Sequence, residues 1–102
     1  MDKDTDHCSS PRKKERTREE YDSLIHRLNR IEGQIRGIRG MVESGAYCND
    51  ILIQACAVNA AVNAFSRELL SNHIRTCVTE DIRRGNDEIV DELMDTIKKL
   101  MK

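Results

Sequence analysis

The sequence predicts an all-α protein, with a three-helix protomer of two long antiparallel helices and a short C-terminal helix, assembling as a dimer or tetramer of helical bundles. Three observations predict this class. The 102 residues include one proline, one phenylalanine, two tyrosines and no tryptophan, while 34% of them are charged. Apolar residues recur at helical spacing along most of the chain. A core with so few large side chains is small, so burial against a second copy is expected.

The first 17 residues differ from the remainder of the chain. They are polar, contain the proline and lack helical periodicity, which predicts a disordered N-terminal tail over residues 1–17. Residues 18–102 are then expected to form one domain. The tail contains His7 and Cys8, which are interpreted as solvent-exposed side chains, with a supplementary metal contact as the alternative.

The first predicted helix begins at Thr17 and ends near Gly45, a residue suited to a left-handed helix cap. Seven of its apolar residues alternate at spacings of three and four, the heptad pattern of a helix that packs lengthwise against a partner. They are Tyr21, Leu24, Leu28, Ile31, Ile35, Ile38 and Val42.

Another face of this helix combines glycines with arginines. Gly33, Gly37 and Gly40 share the face, and each interior glycine costs about 1 kcal/mol of helix stability relative to alanine. That cost suggests the close approach of another backbone, from a neighbouring subunit or from nucleic acid; a merely exposed face is the alternative. The surrounding arginines can neutralise phosphates, or can simply solvate the helix. They are Arg27, Arg30, Arg36 and Arg39.

The second predicted helix runs without glycine or proline from about Asn49 to Arg84. Its broad apolar surface predicts burial on more than one side, and Cys56 is expected to pack there as a small hydrophobic residue. Gly85 ends this helix. A third helix follows from Asp87 to Met101, with acidic residues first and lysines last, as the helix dipole favours.

Three side chains suggest a metal or thiol site. His73 and Cys77 are four residues apart and lie on one helical face. Cys48 precedes His73 by 25 residues, about 37 Å along a helix, whereas a metal–sulfur bond is about 2.3 Å long. One subunit therefore cannot close the site, whereas two antiparallel copies could close two. Two thiolates and one imidazole suit Cu(I), or Zn(II) with a fourth ligand.

The cellular compartment is predicted from two absences in the sequence. No apolar run approaches the roughly 20 residues needed to span a bilayer, and the N-terminus lacks the apolar core of a signal peptide. The protein is therefore expected in the cytoplasm without a membrane partner. Its four cysteines are expected to be reduced there.

Several motifs together resemble those of the CsoR family of copper-sensing transcriptional repressors. They are Arg27-Leu28-x-Arg30-Ile31-Glu32-Gly33-Gln34-x-Arg36-Gly37-Ile38, then Tyr47-Cys48, Ala57-Val58 and His73-x-x-x-Cys77. The resemblance covers about residues 18–101. It implies an all-α dimer that assembles into a tetramer, binds operator DNA without a helix-turn-helix and releases it when Cu(I) binds.

The same resemblance implies roles for individual residues. Cys48 of one subunit would join His73 and Cys77 of the other in a trigonal Cu(I) site. Tyr47 and Glu92 match the family's residues that hydrogen-bond around the metal-bound histidine. Among the arginines, similarity to the family singles out Arg27 most clearly for DNA contact.

The sequence leaves two other sensing functions open and argues against an enzyme. A thiol sensor would use Cys48 and Cys77 against a persulfide or a similar electrophile and would not need His73. A nickel or cobalt sensor would use more histidines, and His7 could supply one of them. The two thiolates nevertheless favour the softer ion, Cu(I). An enzyme is rejected, because the sequence shows no nucleophile–base set, phosphate loop or paired carboxylates.

Overall fold

The computed structural model describes residues 13–101, and all regular secondary structure in this range is helical. The elements are α1 (Arg18–Glu43), α2 (Cys48–His73), a π-helical segment (Ile74–Val78), α3 (Thr79–Arg83) and α4 (Glu88–Leu100). The all-α prediction is confirmed. The described residues divide into two compact units, residues 17–68, and residues 69–101 with residues 13–16. His7, Cys8 and most of the predicted tail lie outside the described residues, so the predictions made for them stay predictions.

Helix α1 begins and ends at residues whose chemistry favours those boundaries. The Thr17 hydroxyl accepts the backbone N–H of Glu20 at 3.1 Å, and the Glu20 carboxylate accepts the Thr17 N–H at 3.2 Å. This reciprocal pair satisfies two N–H groups that the helix leaves unbonded. At the other end Gly45 has φ +75°, and the Ala46 N–H donates to the Met41 carbonyl at 2.9 Å. The predicted left-handed cap at Gly45 is therefore confirmed.

The heptad seam of α1 is divided between the interior and the surface of the first unit. Leu24 and Ile31 are buried, and Ile38 is half-buried. The other row of the seam is exposed, with 42–61% of each side chain accessible. It contains Tyr21, Leu28, Ile35 and Val42. One row of the predicted seam thus packs within the chain, while the other forms an apolar surface on the outside.

Helices α1 and α2 form an antiparallel hairpin within residues 17–68. The connection Ser44–Tyr47 is four residues long, and Glu68 near the end of α2 bonds to Ser23 and Arg27 near the start of α1. The prediction that α2 is buried on more than one side is wrong for the single chain, because Leu52 and Ile53 are 61% and 55% exposed. Only one side of α2 faces α1.

The second predicted helix is not uniform, because five π-helical residues separate α2 from α3. Its start is also one residue earlier than expected, at Cys48. After Arg83 the chain turns at Gly85, which has φ +84°, and the Asn86 N–H donates to the Asp81 carbonyl at 2.8 Å. Gly85 therefore ends the helix as predicted, by the same geometry that ends α1.

The core of the second unit is small and includes polar side chains. Cys77, Val78 and Ile89 are at most 4% exposed, and Asp81 is 2% exposed. Helix α4 contacts the π-helical segment, and Ile89 is its buried residue. Its acidic residues come in the first turn and its lysines in the last, as predicted. Among residues 13–101 no helix has the length and apolar character that a membrane span requires.

Candidate metal and nucleic-acid sites

Cys48 is the first residue of α2, and its thiol is free and exposed. The carbonyl of the preceding Tyr47 accepts the N–H groups of Asp50 and Ile51 at 3.0 and 3.2 Å, so Tyr47 occupies the capping position. The Tyr47 side chain is 73% exposed. This end of the helix therefore presents a thiol and a phenol to the surroundings of the chain.

His73 and Cys77 lie at the other end of α2. His73 is its last residue and is half-buried, whereas Cys77 lies in the π-helical segment and is completely buried. The Cys77 sulfur takes part in a disulfide bond. The prediction of reduced cysteines holds for Cys48 and Cys56, which are free, and is wrong for Cys77. A thiolate at Cys77 therefore requires reduction first.

Two threonine hydroxyls hold the turn that carries Cys77. The Thr76 hydroxyl donates to the Asn72 carbonyl at 2.7 Å, and that of Thr79 donates to the Ile74 carbonyl, also at 2.7 Å. Thr76 Oγ1 also lies 3.8 Å from Cys77 Sγ and accepts a hydrogen bond from Lys14 Nζ. Hydroxyls that bond to backbone carbonyls in this way distort regular α-helices, and π-helical turns are frequent at functional sites.

The predicted ligand types suit a soft metal ion. Thiolates and an imidazole favour Cu(I) over the harder divalent ions. In the part of the chain that the structure describes, no three side chains of His, Cys, Asp or Glu form a group able to hold a metal ion. Glu92, predicted to bond near the histidine, is half-buried on α4, the helix that contacts the π-helical segment.

Cys56 differs from its predicted role. It was expected to pack in the core of the chain, but its thiol is exposed and free. The prediction is wrong for the single chain because the face of α2 that carries Cys56 has no described neighbour to cover it. Cys56 and Cys48 are therefore two exposed thiols on one helix.

The four arginines predicted to bind DNA have different environments on α1. Arg27 Nε donates to Glu68 at 2.8 Å, and Arg39 Nε donates to Glu43 at 3.3 Å across one helical turn. Arg30 and Arg36 are exposed, and within residues 13–101 neither makes an ion pair. Arg30 and Arg36 are thus the two of the four whose charge is not already balanced by an adjacent carboxylate.

The glycines of α1 adjoin open space. A Cβ atom added at Gly37 or Gly40 would meet nothing within 4 Å, and one at Gly33 would lie 3.9 Å from Arg36 Nη2. No backbone of the described chain therefore approaches this face. The close approach predicted from these glycines therefore stays a prediction.

A polar cluster that was not predicted from the sequence joins α1 to α2. The Glu68 carboxylate accepts the Ser23 hydroxyl at 2.7 Å and Arg27 Nε at 2.8 Å, one partner on each oxygen. Hydrogen bonds from Ser23 and from Arg27, in that order, hold the pKa of Glu68 below its ordinary value. A signal was available, because Glu68 is the only acidic residue between Asp50 and Glu80 in the sequence.

Replacing Glu68 with glutamine is expected to lower the free energy of unfolding by about 1 kcal/mol at pH 7. Because the folded-state pKa of Glu68 is depressed, its stabilisation is fully present above the ordinary glutamate pKa of about 4.3 and is lost as pH falls through the folded-state value. Urea unfolding at a fixed protein concentration should therefore show the difference between wild type and variant shrinking in acid.

Glu43→Gln is the matched control for this change. Glu43 pairs with Arg39 through side chains that are 64% and 79% exposed, and such surface pairs contribute about 0–1 kcal/mol. A Glu68→Gln variant with the same small effect as Glu43→Gln at every pH would contradict the stabilising role of the cluster.

Comparisons with known proteins agree with one another. Residues 20–99 match the sequence model of the metal-sensitive transcriptional repressor family. The copper-sensing transcriptional repressor CsoR of Bacillus subtilis is 46% identical over 84 residues, which is 81% of this chain and 83% of that protein. The copper-sensing transcriptional repressor RicR of Mycobacterium tuberculosis is 40% identical over 67 residues, 66% of this chain and 70% of that protein.

Two solved structures are also similar. The crystal structure of the copper-sensing repressor CsoR with Cu(I) from Geobacillus thermodenitrificans has a TM-score of 0.83 and 45% identity, and the match covers 88% of this chain and 95% of that one. The nickel-responsive transcriptional regulator InrS has a TM-score of 0.68 and 32% identity, covering 86% and 97%. The family resemblance predicted from the motifs is confirmed.

Proposed function

Because the chain belongs to the family of metal-sensitive transcriptional repressors, we propose that it is a Cu(I)-responsive repressor. In the metal-free form it binds operator DNA, and on Cu(I) binding it releases the DNA and derepresses copper-resistance genes. The activity is binding without catalysis, and it takes place in the cytoplasm, where the DNA is.

The observation that carries this proposal is the extent of α2. Cys48 is its first residue and His73 its last. The separation of 25 positions corresponds to about seven turns at 3.6 residues per turn, so both side chains project from one face, about 37 Å apart along the axis. An antiparallel copy of the same helix would place Cys48 beside His73 at each end.

The chain's own residues then have separate tasks. Cys48 of one subunit supplies one thiolate, and His73 and Cys77 of the other supply an imidazole and a second thiolate, which Cu(I), when bound, links together. A ligating imidazole keeps one ring N–H, which a carboxylate or phenol can orient. We assign that part to Glu92 and Tyr47. A contact made by Glu92 in only one of the two states would supply the differential interaction that allostery requires.

The exposed apolar surfaces of α1 and α2 support the assembly of the chain into an oligomer. The outer heptad row of α1 exposes 42–61% of each of its side chains, and on α2 Leu52 and Val62 are 61% and 40% exposed. Contiguous apolar surface of this kind on a small chain is typical of an interface. We propose a dimer as the unit that completes the metal site and a tetramer as the DNA-binding form.

The cationic face of α1 supports DNA binding. Arg30 and Arg36 are exposed beside open glycine backbone, and Arg27 and Arg39 extend the positive surface. An oligomer multiplies these charges, and phosphate contacts supply most non-specific affinity for DNA.

One experiment tests the proposal directly. The metal-free protein is first used to enrich a DNA duplex from a random-sequence library. Fully reduced protein is then titrated with Cu(I) under anaerobic conditions against a competing chelator, and its affinity for the labelled duplex is measured at each step. We expect about one Cu(I) per subunit, as the two-site dimer requires, and a loss of DNA affinity of at least about tenfold, a coupling of about 1.4 kcal/mol. Unchanged DNA affinity would refute the proposal.

Thiol sensing is the second candidate, and the disulfide bond at Cys77 favours it. A sensor that reads the oxidation state of Cys77 does not need an imidazole. His73→Ala therefore separates the two functions: it should abolish the response to Cu(I) in a copper sensor and leave the response to persulfide unchanged in a thiol sensor.

Glu92→Ala is expected to bind Cu(I) with nearly wild-type affinity and to release DNA poorly. The half-buried Glu92 lies on the helix that contacts the π-helical segment, so its loss should reduce the coupling, typically about 1–3 kcal/mol, more than the binding. The titration described above measures both quantities. Asp95→Ala, on an exposed position of the same helix, is the control. Full release of DNA by Glu92→Ala would show that Glu92 does not couple the sites.

Gly37→Ala is expected to raise stability while lowering DNA affinity. The added Cβ meets open space in the chain, and alanine favours a helix interior by about 1 kcal/mol over glycine. If another molecule's backbone approaches this face, the same methyl group obstructs it. Urea unfolding and DNA titration report the two effects, and a stabilised variant with unchanged DNA affinity and oligomeric state would identify the face as merely exposed.

A further inference from the structure

The cluster of Ser23, Arg27 and Glu68 contains an arginine whose orientation is set by a carboxylate. Arginine carries five N–H donors in a rigid planar fork. Glu68 takes the Nε donor at 2.8 Å, which leaves the two terminal nitrogens available. The Arg27 side chain is 41% exposed and that of Glu68 is 23% exposed, so the carboxylate is the more enclosed partner and the guanidinium the more accessible one.

Ser23 restrains the carboxylate in turn. It lies one helical turn before Arg27 on the same face of α1, and its hydroxyl donates to the second Glu68 oxygen at 2.7 Å. With both oxygens engaged, the carboxylate cannot rotate without breaking a hydrogen bond. The Nε edge of the guanidinium is therefore anchored from α2, through a contact that also ties the two helices together.

We propose that Glu68 is a positioning residue for DNA binding, which holds Arg27 so that its terminal nitrogens face a DNA phosphate, with Ser23 bracing Glu68. This inference rests on the proposed function. An arginine ordered before binding loses less side-chain entropy when it meets a phosphate, which is the advantage of preorganisation. The orientation of Arg27 therefore depends on the packing of α2 against α1, because Arg27 is oriented only while Glu68 stays beside it.

The test is a mutant cycle on the full chain, in the reduced and metal-free form, with the enriched duplex as probe. Glu68→Ala is expected to weaken DNA binding about tenfold, and Ser23→Ala, which changes no charge, about threefold. Glu68→Gln should fall between wild type and Glu68→Ala, because its carbonyl can still accept from Arg27. In an Arg27→Ala background each of these changes should alter affinity by less than about twofold, because residues that act through Arg27 are not additive with it.

Asp22→Ala is the matched control. Asp22 is an exposed acid on α1 that pairs with Arg18 at 3.2 Å, so its loss changes the net charge as Glu68→Ala does. We expect its DNA affinity to stay within about twofold of wild type. A decrease as large as that of Glu68→Ala would overturn the specific role of the cluster.

Other outcomes also decide the inference. Unchanged DNA binding by Glu68→Ala would overturn it, because Glu68 would then play no part in binding. Tighter binding would also overturn it, because Glu68 would then compete with the phosphate for Arg27. Equal losses in the Arg27→Ala background would overturn it too, because Glu68 would then have a purely structural role. If Glu68→Ala does not fold, the exposed Ser23→Ala decides by the same criteria. A wild-type protein that enriches no duplex would instead refute the proposed function itself, and this inference with it.

Discussion

Cys48→Ser is expected to keep its fold and its DNA affinity while losing Cu(I) affinity by more than about a hundredfold, since loss of an outer partner of a metal ligand alone costs about 10–100-fold. The Cys48 thiol is exposed at the first residue of α2, so its replacement removes no packing. A serine hydroxyl is a harder ligand than a thiolate and does not suit Cu(I). Competition with a chelator measures the affinity.

Cys56→Ser is the control, because Cys56 is the other free, exposed cysteine and lies two turns later on the same helix. It should bind Cu(I) as wild type does. The reverse pattern, with loss only in Cys56→Ser, would place the metal elsewhere.

Mixing two defective chains tests whether the site is shared between subunits. One chain carries Cys48→Ser, and the other carries His73→Ala and Cys77→Ala. In the mixed dimer, one site combines the intact Cys48 with the intact His73 and Cys77, and the other site lacks all three. One Cu(I) per mixed dimer is therefore expected. No recovery, or tight binding by a monomeric wild-type chain, would refute the shared site.

Val62→Glu is expected to dissociate the dimer and to abolish tight Cu(I) binding, although all three ligands are unchanged. If antiparallel copies of α2 align Cys48 with His73, the two-fold axis passes midway, between Ala60 and Ala61. Val62 is 40% exposed and would lie next to its own copy, so the substitution would bring two carboxylates together in an apolar contact. Like charges placed so close in an interface cost several kcal/mol.

The control for Val62→Glu is Ala60→Glu. Ala60 is exposed and projects about 200° away on the helix, because each residue advances about 100°. It adds the same charge at nearly the same height. Analytical ultracentrifugation and Cu(I) competition should both separate the two variants. A monomeric Val62→Glu protein that still binds Cu(I) tightly would contradict the shared site, and an intact dimer would contradict the proposed register.

Local signals predicted most of the secondary structure. The capping chemistry at Thr17 and the left-handed glycines, Gly45 and Gly85, act within a few residues, so their effect is readable from the chain. The π-helical segment was not predicted. Its backbone pattern depends on carbonyls that the Thr76 and Thr79 hydroxyls satisfy, and threonine at such positions is also common in ordinary helices.

The ligand chemistry of the candidate site could be predicted from the sequence, but the oxidation state of Cys77 could not. Ligand type and spacing single out Cys48, His73 and Cys77 as candidate ligands, because softness and helical rise follow from the residues alone. Whether Cys77 is a thiol depends on which sulfur comes near it in three dimensions, and the structure places it in a disulfide bond. The interaction of Arg27 with Glu68 likewise joins residues 41 positions apart.

The sequence by itself determined that the chain is helical, that α1 begins after Thr17, that turns follow at Gly45 and Gly85, and which side chains are candidates to bind a soft metal, because these properties depend on neighbours within a turn or two. Only the tertiary structure decided that Leu24 and Ile31 are buried while Leu28 and Ile35 of the same heptad seam remain exposed. The two rows have the same apolar chemistry, so periodicity cannot distinguish them. The position of α2 against α1 does, since a helix covers only one side of its neighbour.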